Sequence, residues 1–327
     1  MQTRPLGRSG PMTSIVGLGC MGMSDFYGPA DRAESIATVH DALDHGIALL
    51  DTGDFYGMGH NELLLRDALR GVARDRYQLS VKFGAQRGPD RGWLGYDARP
   101  AAVKTALAYS LQRLGVDYID VYRPARLDPA VPIEETVGAI ADMVKAGYVR
   151  HIGLSEVGAA TVRRAQAVHP IVDLQIEYSL ISRSVERTIL PTLRELGIAV
   201  TAYGVLSRGL LSERAADAAQ TRGRFPRFQG ENLAHNLSLV EALRTIAAEK
   251  GITVPQLAIA WVRARGDDIF PLIGARRRER LDEALGALDV TLSTGDLARI
   301  DQVVPAGAAK GERYDAHAMT TLDSERS

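Results

Sequence analysis

The sequence predicts an α/β protein, a (β/α)8 barrel formed as one domain over residues 1–327. Three observations point there. Short apolar runs alternate with longer amphipathic stretches along the whole chain, which implies a parallel sheet with helical crossovers. Eight such units fit this length, which suits a closed barrel better than two doubly wound halves. No Ser/Pro/Gly-rich linker or block of like charge divides the chain.

The expected strands are Ser14–Leu18, Ile47–Leu50, Leu79–Lys82, Tyr118–Tyr122, Val149–Leu154, Val172–Ile176, Ile198–Ala202 and Ile269–Leu272. In the first helix Asp31 is the cap with Glu34 three positions on. Ile36, Val39 and Leu43 line one face, and Gly46 ends the helix before the second strand. Val103, Leu107, Leu111 and Leu114 repeat the helical spacing, as do Ile133, Val137, Ile140 and Val144. Two stretches, Gly84–Pro100 after strand three and Gly204–His235 after strand seven, are too long for plain connections and are expected to cover the C-terminal mouth. The barrel core spans about residues 4–306. The tail, 307–327, is polar at its end, where the last residues are expected to be disordered.

Composition narrows the partner. With 39 basic and 40 acidic side chains the net charge is -1, so no global field favours nucleic acid or an anionic membrane, and a small molecule is expected instead. Cys20 is the only cysteine, which rules out an intramolecular disulfide or a Cys-rich zinc site and fits a reducing compartment. No metal is expected. Met1–Pro11 lacks a signal-peptide core and no apolar run reaches the roughly 20 residues of a membrane span, so a cytoplasmic location is expected.

Gly17-Leu-Gly-Cys-Met-Gly22 follows the first strand and matches G-x-G-x-x-G, with Asp51 ending the next strand as a dinucleotide-binding fold would arrange them. That motif should open directly into a helix whose N-terminus holds a pyrophosphate. Here Ser24-Asp-Phe-Tyr-Gly-Pro29 intervenes before Asp31, so the doubly wound fold is the alternative and the barrel the preferred reading.

Asp51-Thr-Gly-Asp-Phe-Tyr-Gly57 follows strand two, Lys82 ends strand three, and Tyr178 and Tyr203 follow strands six and seven, all on the face where a barrel keeps its chemistry. A carbonyl that accepts hydride needs a proton as its oxygen becomes an alkoxide, and a tyrosine hydroxyl can supply it. Its ordinary pKa near 10 is high for neutral pH. A nearby Lys82 ammonium would stabilise the phenolate, and Asp51 would keep that lysine charged and oriented. Singly, each residue also reads as a turn cap, a packed aromatic or a solvated strand end; succession on neighbouring strands favours chemistry. Cys20 reads as a buried small hydrophobe. Gly274-Ala-Arg-Arg-Arg-Glu-Arg280 opens the helix after strand eight. Arginines there oppose the helix dipole, so a bound anion would relieve the conflict, a solvated basic face being the alternative.

Gly17-Leu-Gly-Cys-Met-Gly-Met-Ser24, Asp51-Thr-Gly-Asp-Phe-Tyr-Gly57, Lys82, Gly153-Leu-Ser-Glu156, Gln175-Ile-Glu-Tyr-Ser179 and Arg224-Phe-Pro-Arg-Phe228, in this order, resemble the aldo-keto reductase superfamily, closest to its bacterial and plant-type short-loop members. The resemblance covers Arg4 to about Ala306. It implies an oxidoreductase that binds NADPH extended across the barrel mouth and passes hydride to a small aldehyde or ketone. It implies Tyr56 as general acid, tuned by Lys82 and Asp51. The cofactor contacts it implies are Gly19, Cys20, Met21 and Asp51 near the nicotinamide ribose, Ser155 and Gln175 at the carboxamide, and Tyr203 stacked on the ring. Gly204, Val205, Leu206, Ser207 and Arg208 would cover the pyrophosphate. Gly274, Arg276, Arg277 and Arg280 would meet the 2′-phosphate and adenine, with Glu283 near the adenine amine. Glu156 and Ala284 stand where asparagine is usual.

One departure bears on the chemistry. In Tyr122-Arg-Pro-Ala-Arg-Leu-Asp-Pro129, Ala125 occupies the position of the family's catalytic histidine, and neither His60 nor His151 replaces it by sequence. Alanine removes a hydrogen-bond donor to the substrate. Three readings follow: a reductase in which Tyr56 acts alone or with Arg123 or Arg126; an oxidoreductase with a larger pocket for a bulkier substrate or an activated alkene; or an NADPH-sensing binding protein. Trp93, Tyr27 and Phe228 are candidate pocket-lining residues, with core packing the alternative.

Overall fold

The computed structural model describes residues 1–213, 215, 218 and 222–326. Eight parallel strands close into a barrel in chain order: β1 (Gly17–Gly19), β2 (Leu49–Gly53), β3 (Gln78–Phe83), β4 (Ile119–Pro124), β5 (Val149–Ser155), β6 (Ile171–Glu177), β7 (Ala199–Tyr203) and β8 (Ile269–Ile273). Helices α1 (Arg32–Asp44), α2 (His60–Ala68), α3 (Pro100–Leu114), α4 (Ile133–Lys145), α5 (Ala159–Val168), α6 (Ile189–Leu196), α7 (Gly230–Glu249), α8 (Val254–Arg263), α9 (Arg278–Leu285) and α10 (Thr294–Val303) surround it. Val103, Leu107 and Leu114 of α3 and Ile133, Val137 and Ile140 of α4 are buried, so the apolar stripes face the strands. Asp31 caps α1 by accepting the Glu34 amide at 2.7 Å.

The first expected strand is shorter than the sequence suggests. Met12–Ser14 pairs antiparallel with Thr3–Pro5, and only Gly17–Gly19 joins the barrel. The chain bends between them because the Ser14 hydroxyl binds the Val16 carbonyl at 2.7 Å and receives the Ala48 amide at 3.0 Å. Leu6 beside this hairpin packs with Val121, Val172, Ala199 and Phe270, closing the N-terminal end. The stretch after β3 carries a second hairpin, Ala85–Arg87 with Trp93–Tyr96. Of the stretch after β7, residues 214, 216, 217 and 219–221 lie outside the described residues, and α7 already begins at Gly230.

The barrel interior is polar towards the mouth. Register sets Asp51 beside Ser80, Lys82 beside Arg123 and Ser155 beside Gln175. Deeper in, fully buried Arg123 lies 2.9 Å from Asp173, which also accepts from Thr201 Oγ1. Gly153 makes room for this pair: a Cβ there would lie 2.5 Å from Asp173 Oδ1. Among the described residues no helix is long and apolar enough to cross a membrane.

The tail differs from the loose end expected. Lys310 N donates to Asn236 Oδ1 at 2.9 Å, Gly158 N to Asp323 at 2.8 Å and Ser324 N to the Glu156 carbonyl at 3.2 Å. These bonds tie the polar tail to the barrel mouth where apolar burial alone would not.

Candidate active site

Strands β2 and β3 place Asp51 and Lys82 side by side, both nearly sealed from solvent. Lys82 Nζ donates to Asp51 Oδ1 and, at 3.3 Å, to the Thr52 carbonyl. Ser80 Oγ and Gln175 Nε2 donate to Asp51 Oδ2 at 2.8 and 2.7 Å, so the carboxylate is held at both oxygens. Burial pulls the Lys82 ammonium below its ordinary pKa, and Asp51 opposes that pull.

The Tyr56 ring lies in the turn after β2, with its centre 5.1 Å from Lys82 Nζ. Burial, and next the Asp51 charge, push its hydroxyl well above the ordinary tyrosine value; Arg126 is the main opposing charge. The sequence reading gave that role to Lys82 and offered Arg126 only as a second donor to the substrate. Cys20, fully buried, has its thiol pushed up by burial, as suits a core residue. Asn61, missed in the sequence, binds the Cys20 carbonyl at 2.9 Å and accepts from Thr52 at 2.7 Å, joining the turn after β1 to β2.

Of the two arginines offered as second donors, the structure separates one from the mouth. Arg123 is buried in its pair with Asp173 and donates at 2.9 Å to Ser80 Oγ, which in turn holds Asp51, so it is committed to these partners and not open to the mouth. Arg126 turns into the mouth. It donates to the Ala125 carbonyl at 2.6 Å, to Ser155 Oγ at 3.5 Å and to Tyr314 Oη at 3.4 Å. Among the described residues, no carboxylate lies within 4.0 Å of it and its buried Nε has no hydrogen-bond partner. Ala125 itself is buried, its amide bound to the Phe83 carbonyl at 2.8 Å.

Glu156 is spent on Tyr203, whose hydroxyl donates to it at 2.7 Å, and on Arg313. Burial disfavours the ionised Glu156, but Arg313 outweighs it and holds the carboxyl well below the usual carboxylate range. Tyr178 does not face the mouth: its hydroxyl donates to Glu186 at 2.7 Å and its ring packs on Trp261. Phe228 is buried in the core, whereas Trp93 is 51% exposed and forms a lip with Phe26 and Phe55. His60 binds Ser24 at the surface, and His151 lies within β5.

On the opposite rim, Arg276 Nη1 donates to the carbonyls of Tyr27, Gly28 and Pro29 at 2.8, 3.2 and 3.0 Å, so it holds the loop after β1. Arg277 caps α9 without a side-chain hydrogen bond, and Arg280 pairs with Glu283 at 2.7 Å. Gly274 faces open space. In the segment after β7, Gly204, Ser207 and Arg208 have φ of 66°, 46° and 58°, a left-handed path closed by bonds from the Ser207 amide to the Gly204 carbonyl at 2.7 Å and from the Gly209 amide to the Leu206 carbonyl at 2.9 Å. Arg208 Nη2 is buried without a hydrogen-bond partner among the described residues, 3.6 Å from Glu177.

Asp54, in the turn that carries Tyr56, has Oδ1 sealed without a hydrogen-bond partner among the described residues. Burial and then the Glu62 charge push its pKa up to about 7. A carboxyl whose folded pKa exceeds its unfolded value penalises the fold increasingly as pH rises from about 4 towards 7. Asp54→Asn should therefore stabilise the protein by about 1–2 kcal/mol at pH 8 and by little near pH 4. Urea denaturation at both pH values measures this; an equal change at both would contradict the assignment.

The model of the Aldo/keto reductase family matches residues 15–305. A probable aldo-keto reductase 1 of Glycine max is 40% identical over 321 residues, covering 96% of this chain and 92% of that one. Among solved structures, the glycerol dehydrogenase AKR11B4 of Gluconobacter oxydans superimposes with a TM-score of 0.82 at 26% identity, covering 92% of this chain and 94% of its own. The aldo-keto reductase AKR11C1 of Bacillus halodurans, in its holo form, gives 0.79 at 28% identity, covering 97% and 99%. With the closed parallel barrel and the Asp51–Lys82 pair at its mouth, these matches identify the chain as a member of the aldo/keto reductase family, oxidoreductases that use a nicotinamide cofactor.

Proposed function

We propose that the protein is an NADPH-dependent reductase of small aldehydes or ketones in which Tyr56 donates the proton and Arg126 is the second hydrogen-bond donor to the carbonyl oxygen. The observation that carries this reading is the buried Asp51–Lys82 pair against the Tyr56 ring, with Arg126 facing the same space free of any described carboxylate partner.

When bound, NADPH supplies the hydride. The chain's own residues then manage the proton. Tyr56 keeps its proton at neutral pH because burial and Asp51 disfavour the phenolate. As negative charge grows on the substrate oxygen, the hydroxyl proton moves to it, and Lys82 and Arg126 stabilise the phenolate left behind. Tyr203 offers a ring face for the nicotinamide, and Ser155 and the free carbonyl end of Gln175 suit its carboxamide. The backbone of Gly19, Cys20 and Met21, at and just after the end of β1, would approach the nicotinamide ribose.

The buried, under-bonded Arg208 and the left-handed turns at Gly204 and Ser207 fit a pyrophosphate, with Val205 and Leu206 between them. Because Arg276 is committed to loop carbonyls, Arg277 and Arg280 are the better 2′-phosphate ligands, and Glu283 would exchange Arg280 for the adenine amine. Arg280→Ala should weaken NADPH about tenfold and NADH much less, since it removes a charge-assisted bond made only to the phosphate. Equal losses in a fluorescence titration would refute that role. The Phe26–Phe55–Trp93 lip favours a carbonyl with an apolar or aromatic substituent.

The test is a screen of aldehydes, ketones and enones for NADPH consumption. Carbonyl turnover supports the reading, reduction of enones alone points to an activated-alkene reductase, and tight NADPH binding without turnover to a sensor.

A further inference from the structure

The C-terminal tail lies outside the barrel's repeating units, yet it inserts two consecutive side chains into the mouth. Arg313, 6% exposed, donates to Glu156 at 2.9 and 2.5 Å, to Glu177 at 3.3 Å, to the Tyr203 hydroxyl at 3.4 Å, to Ser324 at 3.2 Å and to Glu325 at 2.9 Å. Tyr314 follows, with the Arg208 guanidinium 4.4 Å from its ring centre and Phe225 edge-on at 6.2 Å. Its hydroxyl lies 2.9 Å from that of Tyr203 and 3.4 Å from Arg126 Nη2.

Proton accounting sets the direction of these bonds. Ionised Glu156 can only accept, so Tyr203 spends its one proton there. The Tyr203 oxygen must then accept from Tyr314, and the Tyr314 oxygen accepts from Arg126. An ordered chain thus runs from Arg126 through Tyr314 and Tyr203 to a carboxylate clamped by Arg313. Arg126 has no described carboxylate to fix its long side chain, and Tyr314 is its contact from outside the β4–β5 region.

We propose that Tyr314 is a positioning residue of the active site: its hydroxyl fixes the Arg126 guanidinium beside Tyr56, and Arg313 anchors the tail that delivers it. The proposal rests on the reading of Arg126 as substrate donor. Tyr56 is influenced by Asp51, Arg126, Tyr27 and Tyr314, with Lys82 near its ring, so a displaced Arg126 changes the proton affinity of Tyr56 as well as the orientation of the donor.

The test compares wild type, Tyr314→Phe, Arg126→Met and the double variant with 4-nitrobenzaldehyde and NADPH. Tyr314→Phe keeps the ring and removes the hydroxyl. It should lower kcat about tenfold while the KM for NADPH moves less than about threefold. The alkaline limb of the kcat profile should shift upward, because the cation opposing the high Tyr56 pKa is no longer held in place. In the Arg126→Met background the same substitution should cost almost nothing further. Wild-type kcat in Tyr314→Phe, or fully additive losses in the double variant, would overturn the proposal. Tyr56→Phe in the same assay separates the two levels: turnover that survives it sinks the proton-donor reading, whereas its collapse beside an unaffected Tyr314→Phe sinks the role of the tail alone. A wild type that reduces no carbonyl overturns both.

Discussion

Tyr56→Phe is expected to lower aldehyde turnover by about 10²–10⁴-fold while leaving NADPH affinity within about threefold of wild type. The substitution deletes the proton and keeps the ring, which packs edge-on to Phe55 at 4.7 Å, so neither the turn nor the contact with Lys82 should be lost. The loss should fall on kcat, because the proton moves only as charge develops on the substrate oxygen. Steady-state kinetics with a fluorescence titration of NADPH decides it. Unchanged turnover would mean that another group delivers the proton, and the neighbouring Tyr314 hydroxyl, drawn below its ordinary value by Arg208 and Arg126 against the effect of burial, would be the next to remove.

Arg123→Met should destabilise the fold by about 3–5 kcal/mol, because it strands the Asp173 carboxylate in the barrel interior. Burial already raises the Asp173 pKa despite Arg123, so without the arginine the carboxyl would favour its protonated form more strongly. A folded pKa raised above the unfolded one costs stability as pH climbs above about 4, so the loss should be larger at pH 8 than near pH 4. Arg123→Met combined with Asp173→Leu removes both charges and should recover much of the loss. Chemical denaturation of the three variants at both pH values measures this. A small loss in the single variant, or no recovery in the double, would show that the two charges do not depend on each other in the buried interior.

The barrel was legible in the sequence because its signals are local. Seven of the eight strands coincide with an apolar run bounded by turns, and Asp31, Gly46 and the α3 and α4 stripes act where periodicity places them. The exception, Ser14–Leu18, has the composition of one strand. It is split by a side-chain bond from Ser14 to the chain at Val16 and Ala48, a contact that no hydropathy pattern encodes.

For the site, the order of motifs brought Asp51, Tyr56 and Lys82 to one end of the barrel, since residues ending successive parallel strands must share a face. The sequence by itself thus determined the fold, the family and the end of the barrel at which Asp51, Tyr56 and Lys82 meet. Only the tertiary structure decided which arginine faces that end. Arg123 and Arg126 stand three residues apart in one segment, but Asp173 and the space at Gly153 draw the first inward, and the end of β4 turns the second into the mouth. It also decided that the tail belongs to the site. Arg313 and Tyr314 meet Glu156, Tyr203 and Arg126 across more than one hundred positions of chain. A pairing of buried charges is set by desolvation and distance in three dimensions, and neither has a period along the sequence.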